Sequence, residues 1–120
     1  MKLYPSLRYR DPKAALDFLE RAFGFEKVQA YEADGQIVHA EMRWGDSMVM
    51  FGPQRDDDFG DHRGQGWSYA TCDDPDALYE RAQQAGAEVV RPIEDQDYGS
   101  RDFSVRDPEG NLWSFGTYEP

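Results

Sequence analysis

The chain has 120 residues, and its 13 lysines and arginines against 24 aspartates and glutamates give a formal net charge of −11. This length predicts one domain, with a core that needs neither disulfides nor a structural metal. The negative charge excludes nucleic acid and an anionic membrane surface as partners, because both recruit Lys and Arg. A neutral or cationic small molecule is easier to accommodate, although the charge would also serve solubility alone.

Cysteine usage bears on the compartment. Cys72 is the single cysteine, so neither an intrachain disulfide nor an all-thiolate metal site is expected, and a cytoplasmic location is predicted. The opening segment Met1-Lys2-Leu3-Tyr4-Pro5 has no apolar run of signal length, and no segment approaches the ~18 apolar residues of a membrane span.

The two halves of the chain repeat one pattern. Asp11-Pro12 precedes apolar residues at helical spacing and then Gly24, and Asp74-Pro75 precedes a similar series that ends at Gly86. Asp is a favoured N-cap, Pro suits the first helical position, and Gly suits the position after the last turn. The pattern predicts one helix in each half and a structural role for both aspartates.

Three short segments with strand character follow each predicted helix. Turn signals at Asp34-Gly35, Gly45-Asp46 and Glu109-Gly110-Asn111 separate several of them. Each half is therefore predicted to be a βαβββ unit, and the fold class to be α+β rather than a doubly wound parallel sheet. The predicted strands are 26–31, 36–43, 47–51, 88–91, 101–106 and 112–118.

We predict a single domain over residues 1–120, built of two modules at about 1–52 and 66–120. An acidic loop, residues 53–65, joins them. It carries Asp56, Asp57, Asp58 and Asp61 beside glycines, a composition that predicts a mobile segment. We expect it to lie near the mouth of a binding cavity.

The segment Arg106-Asp107-Pro108-Glu109-Gly110-Asn111-Leu112-Trp113-Ser114-Phe115, after two such units, resembles the vicinal oxygen chelate superfamily. That group contains glyoxalase I, extradiol dioxygenases, fosfomycin-resistance transferases and bleomycin-resistance proteins. The resemblance implies that each half curls its sheet into a half-barrel, that the halves pair, and that the concave face forms the site. Whether halves pair within one chain or between chains stays open.

The resemblance also assigns the positions at which metal-using members place their ligands. Here they are Tyr4, Glu41 (or His39 in a register two residues earlier), Trp67 and Ser114. Tyr and Ser are poor ligands and Trp is none, whereas a catalytic metal needs about three His, Asp, Glu or Cys ligands. We therefore expect no metal site, the alternative being a shifted site for Zn, Ni, Mn or Fe that uses His39, Glu41 and a carboxylate of the acidic loop.

Strand alternation adds aromatic residues to the same face. It places Tyr4, Ser6 and Arg8 together, and Trp67 with Tyr69, while Trp113 and Phe115 have core parity. Exposed rings would stack on a planar ligand, although aromatic side chains in a small barrel also serve as filling.

The preferred hypothesis is a metal-free, homodimeric binding protein, similar to bleomycin-resistance proteins, which sequesters a planar aromatic and possibly cationic compound and so confers antibiotic resistance. No catalytic residue and no cofactor are assigned in it. The alternative is a glyoxalase-like lyase or isomerase, or a dioxygenase, with a shifted metal site or acid–base chemistry on Glu41 and His39. The ligand itself is not identified by the sequence. The candidate ligand-binding residues are Tyr4, Ser6, His39, Glu41, Arg43, Trp67, Tyr69, Tyr98 and Ser114.

Overall fold

The computed structural model describes residues 1–120 and contains two βαβββ modules, as predicted. The first module comprises β1 (Ser6–Tyr9), α1 (Pro12–Phe23), β2 (Glu26–Ala33), β3 (Gln36–Trp44) and β4 (Ser47–Pro53). The second comprises β5 (Trp67–Thr71), α2 (Pro75–Gln84), β6 (Glu88–Asp95), β7 (Arg101–Arg106) and β8 (Leu112–Gly116). The α+β class is confirmed.

Each module forms its own four-stranded sheet, in the orders β1-β4-β3-β2 and β5-β8-β7-β6. The first strand of each module pairs in parallel with the last, and the other pairs are antiparallel. Leu7 lies beside Phe51 and Ala70 beside Phe115, so equivalent positions of the two modules hold apolar pairs. The sequence repeat therefore corresponds to two modules with the same strand order and equivalent apolar positions.

Both helices begin as the capping pattern predicts. The Asp11 carboxylate accepts the Ala14 amide at 3.1 Å, and Asp74 accepts the Ala77 amide at 3.2 Å. Gly24 follows α1 with a φ of +80°, in the left-handed region where a residue with Cβ is strained. The two aspartates therefore serve the helix ends.

Some boundaries differ from the prediction. β6 continues to Asp95 and β8 ends at Gly116, which leaves Tyr118 outside the sheet. Pro5 precedes β1, because a proline cannot donate an amide to the ladder. Tyr4 accordingly lies in an irregular segment rather than on a strand. No helix is both long and apolar enough to cross a lipid bilayer.

The core lies between the helices and the sheet faces that they cover, and it is shared by the two modules. Phe23 of α1 contacts Trp113 and Phe115 of β8 with ring centroids 5.7 and 4.8 Å apart. Phe25 and Trp44 join the same cluster. Trp113 and Phe115 are 3% and 0% exposed, which confirms the core parity predicted for them.

Polar contacts also join the modules. Tyr9 of β1 donates its hydroxyl proton to the buried Asp107, and the Glu109 carboxylate accepts the amides of Arg10 and Asp11. At the C-terminal end of α1, the Arg81 side chain of α2 donates to the Glu20 and Arg21 carbonyls.

Because the modules join through their helices, the opposite face of each sheet is left uncovered. We call these the first open face (Ser6, Arg8, Tyr31, His39, Glu41 and Arg43) and the second open face (Trp67, Tyr69, Asp102, Ser104, Ser114 and Gly116).

Candidate functional site

Trp67 stands on the second open face and is 72% exposed. Its indole Nε1 donates a hydrogen bond to Ser114 Oγ at 3.1 Å, and Ser114 Oγ lies 2.6 Å from Ser104 Oγ. Ser104 and Ser114 are register partners on neighbouring strands. The indole is thus tethered across the sheet while most of its surface stays open to a ligand.

Tyr69 crosses the same sheet one row further along. Its hydroxyl donates to the Tyr118 carbonyl at 2.7 Å. A Cβ added at Gly116 would lie 2.9 Å from that hydroxyl oxygen, so the glycine leaves room for the ring. Burial, with a smaller contribution from the Asp102 charge, raises the pKa of Tyr69, which keeps the phenol neutral at physiological pH.

Asp102 occupies the edge of this face. Its carboxylate accepts one hydrogen bond from Gln96 Nε2 at 3.0 Å and one from the Tyr98 hydroxyl at 2.8 Å. The hydrogen bond to Asp102 raises the pKa of Tyr98. Tyr98 is thereby placed beside the second open face by the turn between β6 and β7.

The first open face is polar. His39 Nε2 lies 2.9 Å from Glu41 Oε2, and the Tyr31 ring centroid is 5.9 Å from that of His39. Arg43 is 3.9 Å from Glu26 rather than paired with Glu41. Along β1, Ser6 is exposed and Arg8 is half-buried, whereas Leu7 and Tyr9 are buried on the opposite face of the sheet. Strand alternation predicts this pattern.

Tyr4 lies in the irregular segment that precedes β1. It is 42% exposed and borders a groove of about 1080 Å³ between the modules, together with Trp44, Val49 and Tyr69. The groove therefore connects Tyr4 to one residue of the second open face.

One chain does not bring all the candidate residues together. The modules meet chiefly through α1 and α2, so His39 and Glu41 belong to one open face and Trp67 and Ser114 to the other. No three His, Cys, Asp or Glu side chains lie close enough within the chain to hold a metal ion. In particular, His39 and Glu41 have no third such side chain beside them.

Residues absent from the sequence-based candidates include Tyr31 and Asp102 on these faces and Tyr118 beside the second open face. Asp102 shares strand parity with Ser104, and the register of β7 against β8 would have pointed to it. Tyr118 carried no comparable signal, because it lies beyond β8 and reaches the face only through its contacts with Tyr69 and Tyr98.

The fold and these faces define a class of protein. The model of the Glyoxalase/Bleomycin resistance protein/Dioxygenase superfamily matches residues 3–115. The chain belongs to this superfamily, which confirms the resemblance seen in the sequence.

Individual relatives narrow the comparison. An uncharacterised protein of Mycobacterium bovis is 34% identical over 123 residues, which span 95% of this chain and 81% of the relative. The crystal structure of TioX from Micromonospora sp. ML1 is 32% identical and superposes with a TM-score of 0.85 over 99% of both chains.

A third comparison is with a structure that holds a ligand. The bleomycin-binding protein from bleomycin-producing Streptomyces verticillus, complexed with copper(II)-bleomycin, is 26% identical. Its TM-score is 0.71, and the match covers 99% of this chain and 97% of that one.

Proposed function

We propose that this protein binds a planar aromatic, cationic small molecule without transforming it and without a metal, and that two copies form the complete site. Its role would be sequestration, as in antibiotic resistance. The observation that carries the proposal is Trp67, a large ring 72% exposed yet hydrogen-bonded in place. An exposed, tethered aromatic residue loses little conformational entropy on binding, which favours stacking on a flat ligand.

The residue types agree with binding rather than metal chemistry. At the positions where the resemblance places the ligands of metal-using members, this chain has Tyr4, Trp67, Ser114 and either Glu41 or His39. The net charge of −11 favours a cationic guest. A relative of the same fold is a bleomycin-binding protein, which makes bleomycin a suitable first probe.

A second copy is proposed because both open faces expose apolar groups. Tyr31 on the first open face and Trp67 on the second are 52% and 72% exposed, and two-fold pairing is the common way to cover such a face. A dimer would also set the His39 and Glu41 face of one copy against the Trp67 face of the other. Sedimentation equilibrium should give twice the 13.8 kDa chain mass, and a monomer at micromolar concentration would contradict this part of the proposal.

The test of binding is calorimetric titration with bleomycin. Trp67→Ala should weaken binding by about 1–3 kcal/mol, roughly 5- to 150-fold, since a central aromatic contact is removed. Trp67→Phe keeps a ring but loses the bond to Ser114, and should weaken it less. Unchanged affinity in a folded Trp67→Ala variant would place the site elsewhere.

His39 and Glu41, 2.9 Å apart on the first open face, favour a second candidate function, an acid–base enzyme or one with a shifted metal. Elemental analysis of the purified protein should find no stoichiometric zinc, nickel, manganese or iron if the binding proposal is right. About one metal per chain that is lost in Glu41→Gln would favour the enzyme instead.

A further inference from the structure

The tyrosines near Asp102 form a second feature of the second open face, beyond the stacking surface of Trp67. The Tyr98 and Tyr118 rings meet nearly at a right angle, with an interplanar angle of 85° and centroids 5.9 Å apart. The Tyr69 hydroxyl holds the Tyr118 carbonyl at 2.7 Å. Three tyrosines therefore gather at one corner of the face.

This corner is fixed by the backbone on both sides. The Gln96 amide donates to the Ser100 carbonyl at 2.7 Å and closes the turn that carries Tyr98, in which Gly99 has a φ of +88°. The buried Ser100 hydroxyl accepts the Tyr118 amide at 3.2 Å. Ser100 therefore bonds both the turn that carries Tyr98 and the C-terminal segment that carries Tyr118.

Asp102 lies at the base of the corner and forms no salt bridge. Its two hydrogen-bond donors, Gln96 and Tyr98, are both neutral. Arg101 pairs with Asp76 and Asp95, while Arg91, whose charge reaches Tyr98, lies 4.0 Å from Glu94 and forms no salt bridge with Asp102. A half-buried carboxylate without a cation attracts one strongly, because its surroundings screen charge less than water does.

We propose that Asp102, Tyr69, Tyr98 and Tyr118 form a subsite for an alkylated ammonium group, such as a tertiary or quaternary amine on the ligand. Each carboxylate oxygen of Asp102 already accepts one hydrogen bond, which occupies about half of its acceptor sites, while the three tyrosines supply aromatic surface beside the charge. A methylated ammonium is weakly hydrated and needs few hydrogen bonds. It therefore suits a site of one carboxylate and aromatic rings better than a bare ammonium does. The inference rests on the proposed function, since it assigns part of the ligand that lies beside Trp67.

The test compares choline with 3,3-dimethylbutan-1-ol, its neutral isostere, by NMR titration of the intact protein. Choline should bind at least tenfold more tightly and shift the ring resonances of Tyr98 and Tyr118. Asp102→Asn should abolish the preference. Asp95→Asn is the matched control and should keep the preference. It removes the same charge from the neighbouring strand β6, where the Asp95 carboxylate pairs with Arg101.

Two further variants separate the ring from its hydroxyl. Tyr98→Ala should lose most of the choline affinity, whereas Tyr98→Phe should retain the ring contact and lose less. Equal binding of the two probes by the wild type, or a preference that survives Asp102→Asn, would overturn the subsite. Bleomycin binding that depends on Trp67 would stand regardless of that result, so the two proposals fail separately.

Discussion

At the scale of the residue, identical amino acids take opposite roles according to what their neighbours leave exposed. Trp113 donates its indole Nε1 to the buried Asp107 at 3.0 Å and is 3% exposed. Trp67, in register beside Leu112, donates to Ser114 but stays 72% exposed. The small side chains of Ser104 and Ser114 beneath Trp67 hold its edge without covering its ring.

Cys72 gives a residue-scale prediction. Burial, and secondarily the charges of Asp73 and Asp74, raise the pKa of its thiol from the usual 9.0 to about 11. At pH 8 the native protein should therefore contain about a hundredth of the usual thiolate and react correspondingly slowly with iodoacetamide. The rate should rise about tenfold per pH unit up to pH 10.

The unfolded protein is the reference for this measurement. In urea the thiol should react at the rate of an ordinary cysteine, and Cys72→Ser should not be labelled at all. Equal rates for native and unfolded protein would mean that Cys72 is freely accessible and not desolvated.

At the scale of the element, the turn between β7 and β8 connects the two modules through hydrogen bonds. Asp107 Oδ1 accepts the Glu109 and Asn111 amides, while Oδ2 accepts the Trp113 indole and the Tyr9 hydroxyl. Glu109 reaches the chain entering α1. The Asp-Pro-Glu-Gly-Asn segment therefore has a structural role, joining the last hairpin to the first strand and helix.

The Tyr9 hydroxyl should account for a measurable part of the stability. Tyr9→Phe removes a buried hydrogen bond to a carboxylate and should lower the free energy of unfolding by about 1.5–3 kcal/mol in urea denaturation at pH 7. Tyr79→Phe, which removes a hydroxyl from a ring packed on Phe103, is the matched control and should change stability little.

The same pair of variants predicts a dependence on pH. Burial and the Asp107 carboxylate raise the pKa of Tyr9 well above its usual 10.0, so the folded state holds this proton more tightly than the unfolded chain. The stabilisation is complete below pH 10 and is lost as the pH rises through the folded-state pKa. The stability difference between wild type and Tyr9→Phe should therefore shrink above pH 10, and a constant difference would contradict the assignment.

At the scale of the whole molecule, the loop between β4 and β5 is less uniformly repulsive than its sequence predicts. Arg55 pairs with Asp57, and Arg63 pairs with Asp61, whose pKa falls to about 2 through the hydrogen bonds from Arg63. Arg55 also lies 4.1 Å over the Phe59 ring. The two aspartates without such partners, Asp56 and Asp58, carry most of the free negative charge.

We predict that this charge speeds the capture of a cationic ligand. Asp56→Asn with Asp58→Asn should slow bleomycin association in stopped-flow measurements at low salt, and the effect should vanish near 1 M salt, where screening acts over ~3 Å. Asp17→Asn with Glu80→Gln removes equal charge from exposed positions on α1 and α2, outside the loop, and should slow association less. Equal rates for all three proteins at low salt would leave the loop as a connector only.

The local structure followed from the sequence, because the signals involved are local. Asp-Pro helix starts, glycine turns and strand alternation depend on neighbours within a few residues, and they predicted both modules, the two N-caps and the core positions of Trp113 and Phe115. The segment 106–115, following the two repeated units, also resembled the superfamily to which the chain belongs.

Which faces of the modules meet depends on long-range packing and could not be read from the sequence. α1 packs on α2, and hydrogen bonds of Tyr9 with Asp107 and of Arg81 stabilise this arrangement. Both open faces therefore point outward, and Glu41 is separated from Trp67 within one chain. It also brings Tyr118 beside Tyr98 and Asp102. These contacts join residues far apart in sequence, and their energies depend on burial and orientation, which no local pattern specifies.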